Sequence, residues 1–237
     1  MSLRDSVLVQ RQTIGHADLQ ALSSYVREAP KHDSLVSNFD EDPQNDQVEW
    51  VLNRKVRDTQ EVELAESVVA TLHGVIESFV LPFVNRFYAI EVRDWEPAHI
   101  LHYGTGGHYI PHVDAETLYK DDVERDYWEK TLDRDLSVVC FINDDFVGGE
   151  LVFPDLPLKI EPEAGTLVCF PSDHHFVHGV VPVQSGHRYT IVTWLRVKGM
   201  PTPEEINRAT MNEFNRRWPE PIAQPPLLAK GEGLRRR

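Results

Sequence analysis

The chain has 237 residues and carries 38 acidic against 24 basic side chains, a formal net charge of -14. Such a surface repels a nucleic-acid backbone, so neutral or cationic partners, small molecules or peptides, are expected and nucleic acid is not. No apolar run is read as a membrane span and the opening Met1-Ser2-Leu3-Arg4-Asp5 lacks the regions of a secretory signal, which points to a cytoplasmic protein with no membrane partner.

In chain order, residues 16–28 place Leu19, Leu22, Tyr25 and Val26 at helical spacing, and Pro30 stops the pattern. The polar stretch 31–46 reads as loop and 48–56 as a strand. Residues 59–84 form a long helical pattern with Val62, Leu64, Val68, Val69, Leu72, Val75 and Ile76 on one face, and Pro82 is expected to interrupt it. From His99 onward short apolar runs alternate with Gly, Pro, Asp and Asn. They predict strands over 99–103, 108–113, 136–142, 150–153, 158–160, 166–170, 176–181 and 188–197, the texture of a sandwich or jelly roll. Residues 115–135 are a charged insertion read either as a lid over a site or as a solvated helix. A helix over 203–217 and a Pro-rich tail follow, ending in the short basic run Arg235-Arg236-Arg237, read as a solvated tail. Cys140 and Cys169 sit inside apolar runs and read as buried, reduced thiols. The organisation expected is one catalytic domain over 1–237: a helical support region (1–95), a jelly-roll core (96–200), and a C-terminal helix and tail (201–237).

The chemistry concentrates in Tyr109-Ile110-Pro111-His112-Val113-Asp114. Alternate residues of a strand share a side, so His112 and Asp114 converge on one point. His178 offers a third ligand and Arg188 follows ten residues later. Two imidazoles and one carboxylate form a facial set that leaves positions open on Fe(II). His174 and His175 compete with His178 for the distal place, while His108 and His187 have no assigned role and most of the spare histidines are expected to face solvent. If Arg188 points inward, strand alternation sends Thr190, Val192 and Trp194 inward too, and Tyr189, Ile191 and Thr193 outward.

Taken together, Tyr103-Gly104-Thr105-Gly106-Gly107-His108-Tyr109, His112-Val113-Asp114, the Gly148–Pro154 turn element, the Glu163–Phe170 run, His178 and Arg188 resemble the prolyl 4-hydroxylase branch of the Fe(II)/2-oxoglutarate-dependent oxygenases. The resemblance spans roughly residues 96 to 200. It implies a mainly β fold with flanking helices, a double-stranded β-helix of the cupin-like, jelly-roll kind. It further implies Fe(II) on His112, Asp114 and His178, and 2-oxoglutarate as cosubstrate with its far carboxylate on Arg188 and a hydrogen bond from Tyr103. O2 would be consumed, ascorbate would serve as reductant, and an unactivated C–H of peptidyl proline, a free amino acid or another small metabolite would be hydroxylated. Tyr109 is either a substrate-side residue or packing, and Trp194 either shapes the substrate space or fills the core. Because Asp114 is kept, hydroxylation is expected over halogenation. The competing expectations are a non-catalytic jelly-roll module that keeps a metal for stability, and a metal hydrolase on a cupin-like barrel.

Overall fold

In the computed structural model, residues 3–39, 48–120, 126–208 and 235–236 are described. Two antiparallel sheets face each other. The larger runs Leu8–Gln10, Leu167–Pro171, Leu136–Phe141, Arg188–Val197, His99–Tyr103, Gln60–Val62, Lys31–Asp33, with Val92–Trp95 also paired to Arg188–Val197. The smaller runs Leu158–Ile160, Leu151–Phe153, His178–Val180, His108–His112, Arg57–Asp58.

The sequence produces this arrangement because the large sheet is buried on both faces. All six residues of Leu136–Phe141 are buried, and side-chain alternation divides them. Val138 and Cys140 join Ile100, Ile191 and Leu195 in an outer core covered by helices, whose contributions include Leu22, Val26, Leu72, Val75, Ile76 and Val80. Val139 and Phe141 join Leu101, Tyr103, Val168 and Phe170 on the inner face, where they meet Leu151, Phe153, Ile160 and Val180 of the smaller sheet. This is the jelly roll expected from the spacing of the short strands.

Residues 16–28 form the helix His16–Glu28, as the periodicity requires, and the strands Leu158–Ile160 and Arg188–Val197 fall where their patterns place them. Elsewhere in the first third, tertiary pairing overrides local pattern. The stretch read as loop holds two strands, Lys31–Asp33 and Val36–Phe39. The beginning of the long helical pattern is the strand Gln60–Val62, and Glu66–Tyr88 then forms one continuous helix of 23 residues. Pro82 does not end it: a π-type turn over Ile76–Val80 precedes the proline, and its wider spacing accommodates the missing N–H donor. This helix is long and apolar enough, by length and composition, to cross a membrane, contrary to the expectation that no such run exists. Its Leu72, Val75, Ile76, Val80 and Val84 stripe is buried in the outer core. The region read as helical support therefore also supplies strands to both sheets.

The described residues of the 115–135 insertion include no helix. Glu116–Lys120 and Asp126–Lys130 pair as antiparallel strands, and Arg235–Arg236 adds to the edge of that ribbon rather than trailing freely. Residues 203–208 are helical; the rest of the expected helix over 203–217, and the Pro-rich tail, lie outside the described residues. Both cysteines are buried and free, and burial pushes the Cys140 thiol up to about 12.

One spare histidine is structural rather than solvent-facing. His102 is buried on the outer face, stacked between His187 and Tyr189, with Nδ1 3.2 Å from Gln60 Oε1 and Nε2 2.9 Å from His187 Nδ1. Burial, and then the neighbouring His187, pull its pKa down to about 4. An unfolded histidine titrates near ~6.5. The unfolded chain therefore takes up the proton first, and stability is lost as pH falls from about 6.5 to about 4, by at most about 3 kcal/mol. Urea denaturation across that window should show a steeper decline for the wild type than for His102→Gln. Parallel declines would remove His102 from this role.

Candidate metal centre

The site lies where the two sheets meet, with His112 and His178 on the smaller one and Ser137 on the larger. His178 pairs directly with His112 across adjacent strands, and Asp114 follows two residues after the end of the His108–His112 strand. One ligand atom from each of the three lies within 4.8 Å of the others. His178 Nε2 is 3.4 Å from Asp114 Oδ2, and His112 Nε2 is 3.7 Å from Asp114 Oδ1.

Backbone carbonyls set the orientation of both rings. His112 Nδ1 lies 2.9 Å from the Ile110 carbonyl and His178 Nδ1 3.0 Å from that of Phe176. If each Nδ1 carries the proton and donates it, each Nε2 is left with a lone pair aimed at the shared point. Burial alone would push the Asp114 carboxyl up. The His178 and His112 imidazoles, the Ser137 hydroxyl and the Trp194 indole outweigh it and hold the group below the usual carboxylate range. Burial, and then His178, draw the His112 pKa down. An anionic carboxylate beside a neutral imidazole is the protonation state that metal binding demands.

Ser137 is a residue the sequence reading passed over. Its Oγ donates to Asp114 Oδ2 at 2.6 Å and lies 2.8 Å from Ser172 Oγ. The available signal was a lone hydroxyl in the otherwise apolar run Leu136–Phe141. Arg134 was also passed over: it donates to the Asp114 carbonyl (3.2 Å), meets both Glu96 oxygens at 2.8 Å, and lies 3.6 Å over the Trp194 ring. Ser137→Ala should weaken Fe(II) or Mn(II) affinity by about tenfold, since partners behind a metal ligand carry effects of that order. Anaerobic calorimetry reads this directly, and unchanged affinity would show that Asp114 needs no such support.

Arg188 is 1 % exposed. It faces inward with Thr190, and Tyr189 and Ile191 belong to the outer core, as alternation demands. Its guanidinium lies 4.5 Å from the Tyr103 ring and 5.1 Å from the Phe141 ring, and Nη1 donates to Thr190 Oγ1 at 3.2 Å. Its Nε has no hydrogen-bond partner. Among the described residues no carboxylate forms a salt bridge with it. Gly149 makes room for it: at φ +68° a side chain is disfavoured, and a Cβ there would come within 2.9 Å of Arg188 Cδ. Phe153 and Phe170, which pack on His178, share the inner core with Tyr103 and Phe141, so a continuous apolar interior joins the metal ligands to the buried cation.

Tyr109 stacks on His112 with ring centroids 3.6 Å apart. Trp194 sits at the metal end, opposite Ser137 in the strand register and beneath the Arg134 guanidinium. Of the rival histidines, His174 is engaged by Glu116 and stacks on Trp128, while His175 caps onto Asp173.

Residues 98–196 match the family model of the 2OG-Fe(II) oxygenase superfamily. Over that segment, less than half of the chain, it resembles the 2OG-Fe(II) oxygenases and is prolyl 4-hydroxylase-like. The oxygenase core is 33 % identical over 85 residues to human prolyl 3-hydroxylase 2, covering 34 % of this chain and 12 % of that protein. It is 29 % identical over 123 residues to chicken prolyl 4-hydroxylase subunit alpha-1, covering 49 % of this chain and 23 % of that protein. The chain thus spans less than a quarter of the length of these curated relatives. Among solved structures, a Pseudomonas putida prolyl-4-hydroxylase superposes with TM-score 0.52 at 21 % identity, covering 82 % of this chain and 94 % of that one. A Trichoplax adhaerens prolyl hydroxylase, solved with a hypoxia inducible factor peptide fragment, superposes with TM-score 0.56 at 18 % identity, covering 81 % and 84 %. These likenesses establish the shared fold of the oxygenase core.

Proposed function

We propose that this oxygenase is an Fe(II)- and 2-oxoglutarate-dependent dioxygenase that hydroxylates an unactivated C–H bond in peptidyl proline, a free amino acid or a similar small metabolite. The observation that carries the reading is Arg188. A buried guanidinium without an anionic partner is destabilising by several kcal/mol, and its forked donors match a carboxylate. The donor set fits iron as well: two imidazole Nε2 atoms and one carboxylate leave coordination positions free.

His112, Asp114 and His178 would hold the metal. When bound, Fe(II) supplies the coupling of O2 reduction to oxidative decarboxylation of 2-oxoglutarate, giving succinate and CO2 and placing one oxygen atom in the substrate. The chain's own residues do the rest. Arg188 and Thr190, with the Tyr103 hydroxyl, anchor the far carboxylate of the cosubstrate and so set how deeply it enters. Phe141, Phe153 and Phe170 keep water from that interior, which strengthens the ion pair at Arg188. Ser137 and Trp194 hold the Asp114 carboxylate in place. Tyr109 and Trp194 flank the metal ligands on the substrate side.

The non-catalytic alternative has less support, because a structural metal site closes its coordination with four protein ligands and has no use for a buried cation. Ascorbate as reductant and a cytoplasmic location belong to the same proposal. The test is incubation with Fe(II), 2-oxoglutarate, ascorbate and a panel of prolyl peptides and amino acids. Succinate formation coupled to a substrate mass gain of about 16, one oxygen atom, is expected; absence of iron-dependent succinate would refute the reading.

A further inference from the structure

Glu61 does not belong to the metal centre, yet the register turns it toward the same interior. It pairs with Leu101, which lines the inner core and is itself paired with Thr190 beside Arg188. Two sets of neighbours lie between Glu61 and the metal ligands. On one side its Oε2 is 3.3 Å from His99 Nδ1, and the His99 ring meets edge-on at 6.5 Å the Trp194 ring, which is paired in register with the Ser137 that donates to Asp114. On the other, Arg57 acts on Glu61 electrostatically and stacks over Tyr109 at 5.0 Å, the ring that lies against His112. Glu61 and His99 therefore share the inner face of the large sheet with Trp194.

Among the described residues no lysine or arginine forms an ion pair with Glu61. The His99 hydrogen bond outweighs burial and lowers the Glu61 pKa, so the carboxylate is ionised. Its ion-pair partners among the described residues are both imidazoles, His99 at 3.3 Å and His32 at 3.7 Å. An imidazole carries a full charge only when protonated, so neither supplies the fixed cation that lysine or arginine would. Arg57 acts on Glu61 only through space, without an ion pair, because it donates from Nε to Thr59 Oγ1 and stacks on Tyr109. The Glu61 side chain is 31 % exposed, accessible to a ligand yet partly shielded from water. A chain of net charge -14 favours the arrival of a cation.

We propose that Glu61, steered by His99, is a specificity-determining subsite for a cationic group of the substrate, an ammonium or guanidinium carried near the C–H bond to be oxidised. This rests on the oxygenase reading and narrows its substrate to a basic amino acid or a peptide with a basic residue beside the reacting one. The test uses full-length protein loaded with Mn(II) and 2-oxoglutarate, so that binding is measured without turnover. The probes are proline-centred pentapeptides with lysine, norleucine or glutamate at each flanking position, together with free lysine, arginine and norleucine. The tightest ligand should be cationic and should bind about tenfold better than its norleucine counterpart, about 1.4 kcal/mol. Glu61→Gln should shrink that margin to about twofold, and Glu61→Lys should turn it toward the glutamate peptide. Equal binding of neutral and cationic probes, no binding by any probe, or a preference that survives Glu61→Gln would overturn the proposal. Iron-dependent succinate formation by the wild type, measured alongside, separates failure of this subsite from failure of the oxygenase reading.

Discussion

Asp114→Ala is expected to abolish iron-dependent turnover of 2-oxoglutarate and to weaken Fe(II) or Mn(II) binding by more than about 100-fold, beyond the 10–100-fold typical of losing a supporting partner. The reason is the charge of the site. Two imidazoles contribute no charge as ligands, so Asp114 alone offsets the dication. It stands 3.4 Å from His178 Nε2 and 3.7 Å from His112 Nε2, where removing it leaves a two-coordinate remnant. Asp114→Asn keeps the shape but not the charge and should fall close to the alanine variant. Anaerobic calorimetry measures both, and metal affinity within a few-fold of wild type would show that the carboxylate is not a ligand.

Arg188→Met should separate stability from function. Methionine has a similar reach and no charge, so the ligand-free protein loses an uncompensated buried cation and should melt at the same temperature or higher. Replacing buried charge by apolar volume is neutral or stabilising by about 1–4 kcal/mol in other proteins. Cosubstrate binding should move the other way, weakening by about 2–5 kcal/mol, roughly thirtyfold or more, as when one partner of a buried charge pair is removed. A melting curve and a 2-oxoglutarate titration on the same preparation decide it. A variant that unfolds earlier and binds 2-oxoglutarate normally would make Arg188 a structural residue.

The oxygenase half of the chain was legible because its strands are short, apolar and bounded by turn residues, and because ligand chemistry imposes spacing. His112 and Asp114 two apart, His178 downstream and Arg188 ten residues later survive as a pattern even though the fold brings them together from separate strands. The inward face of Arg188–Val197 followed from alternation alone. The first third resisted the same treatment because Lys31–Asp33 and Gln60–Val62 owe their strand form to partners distant in sequence: they pair with each other, and Gln60–Val62 pairs in turn with His99–Tyr103. Their residues are polar enough to read as loop or helix start. Ser137, Arg134, Glu61 and His99 were missed for a related reason. Each acts through a neighbour supplied by another strand, and only the register puts that neighbour beside it. The Glu116–Lys130 hairpin was obscured by its charges, which suit a solvated ribbon as well as a helix.

The most direct measurement is a crystal structure with Mn(II) and 2-oxoglutarate, with anomalous scattering recorded to locate the metal. One peak bonded to His112 Nε2, Asp114 and His178 Nε2, with the keto acid's far carboxylate on the Arg188 guanidinium, is the result expected. A metal held by other side chains, or a keto acid whose carboxylate lies away from Arg188, would contradict the account.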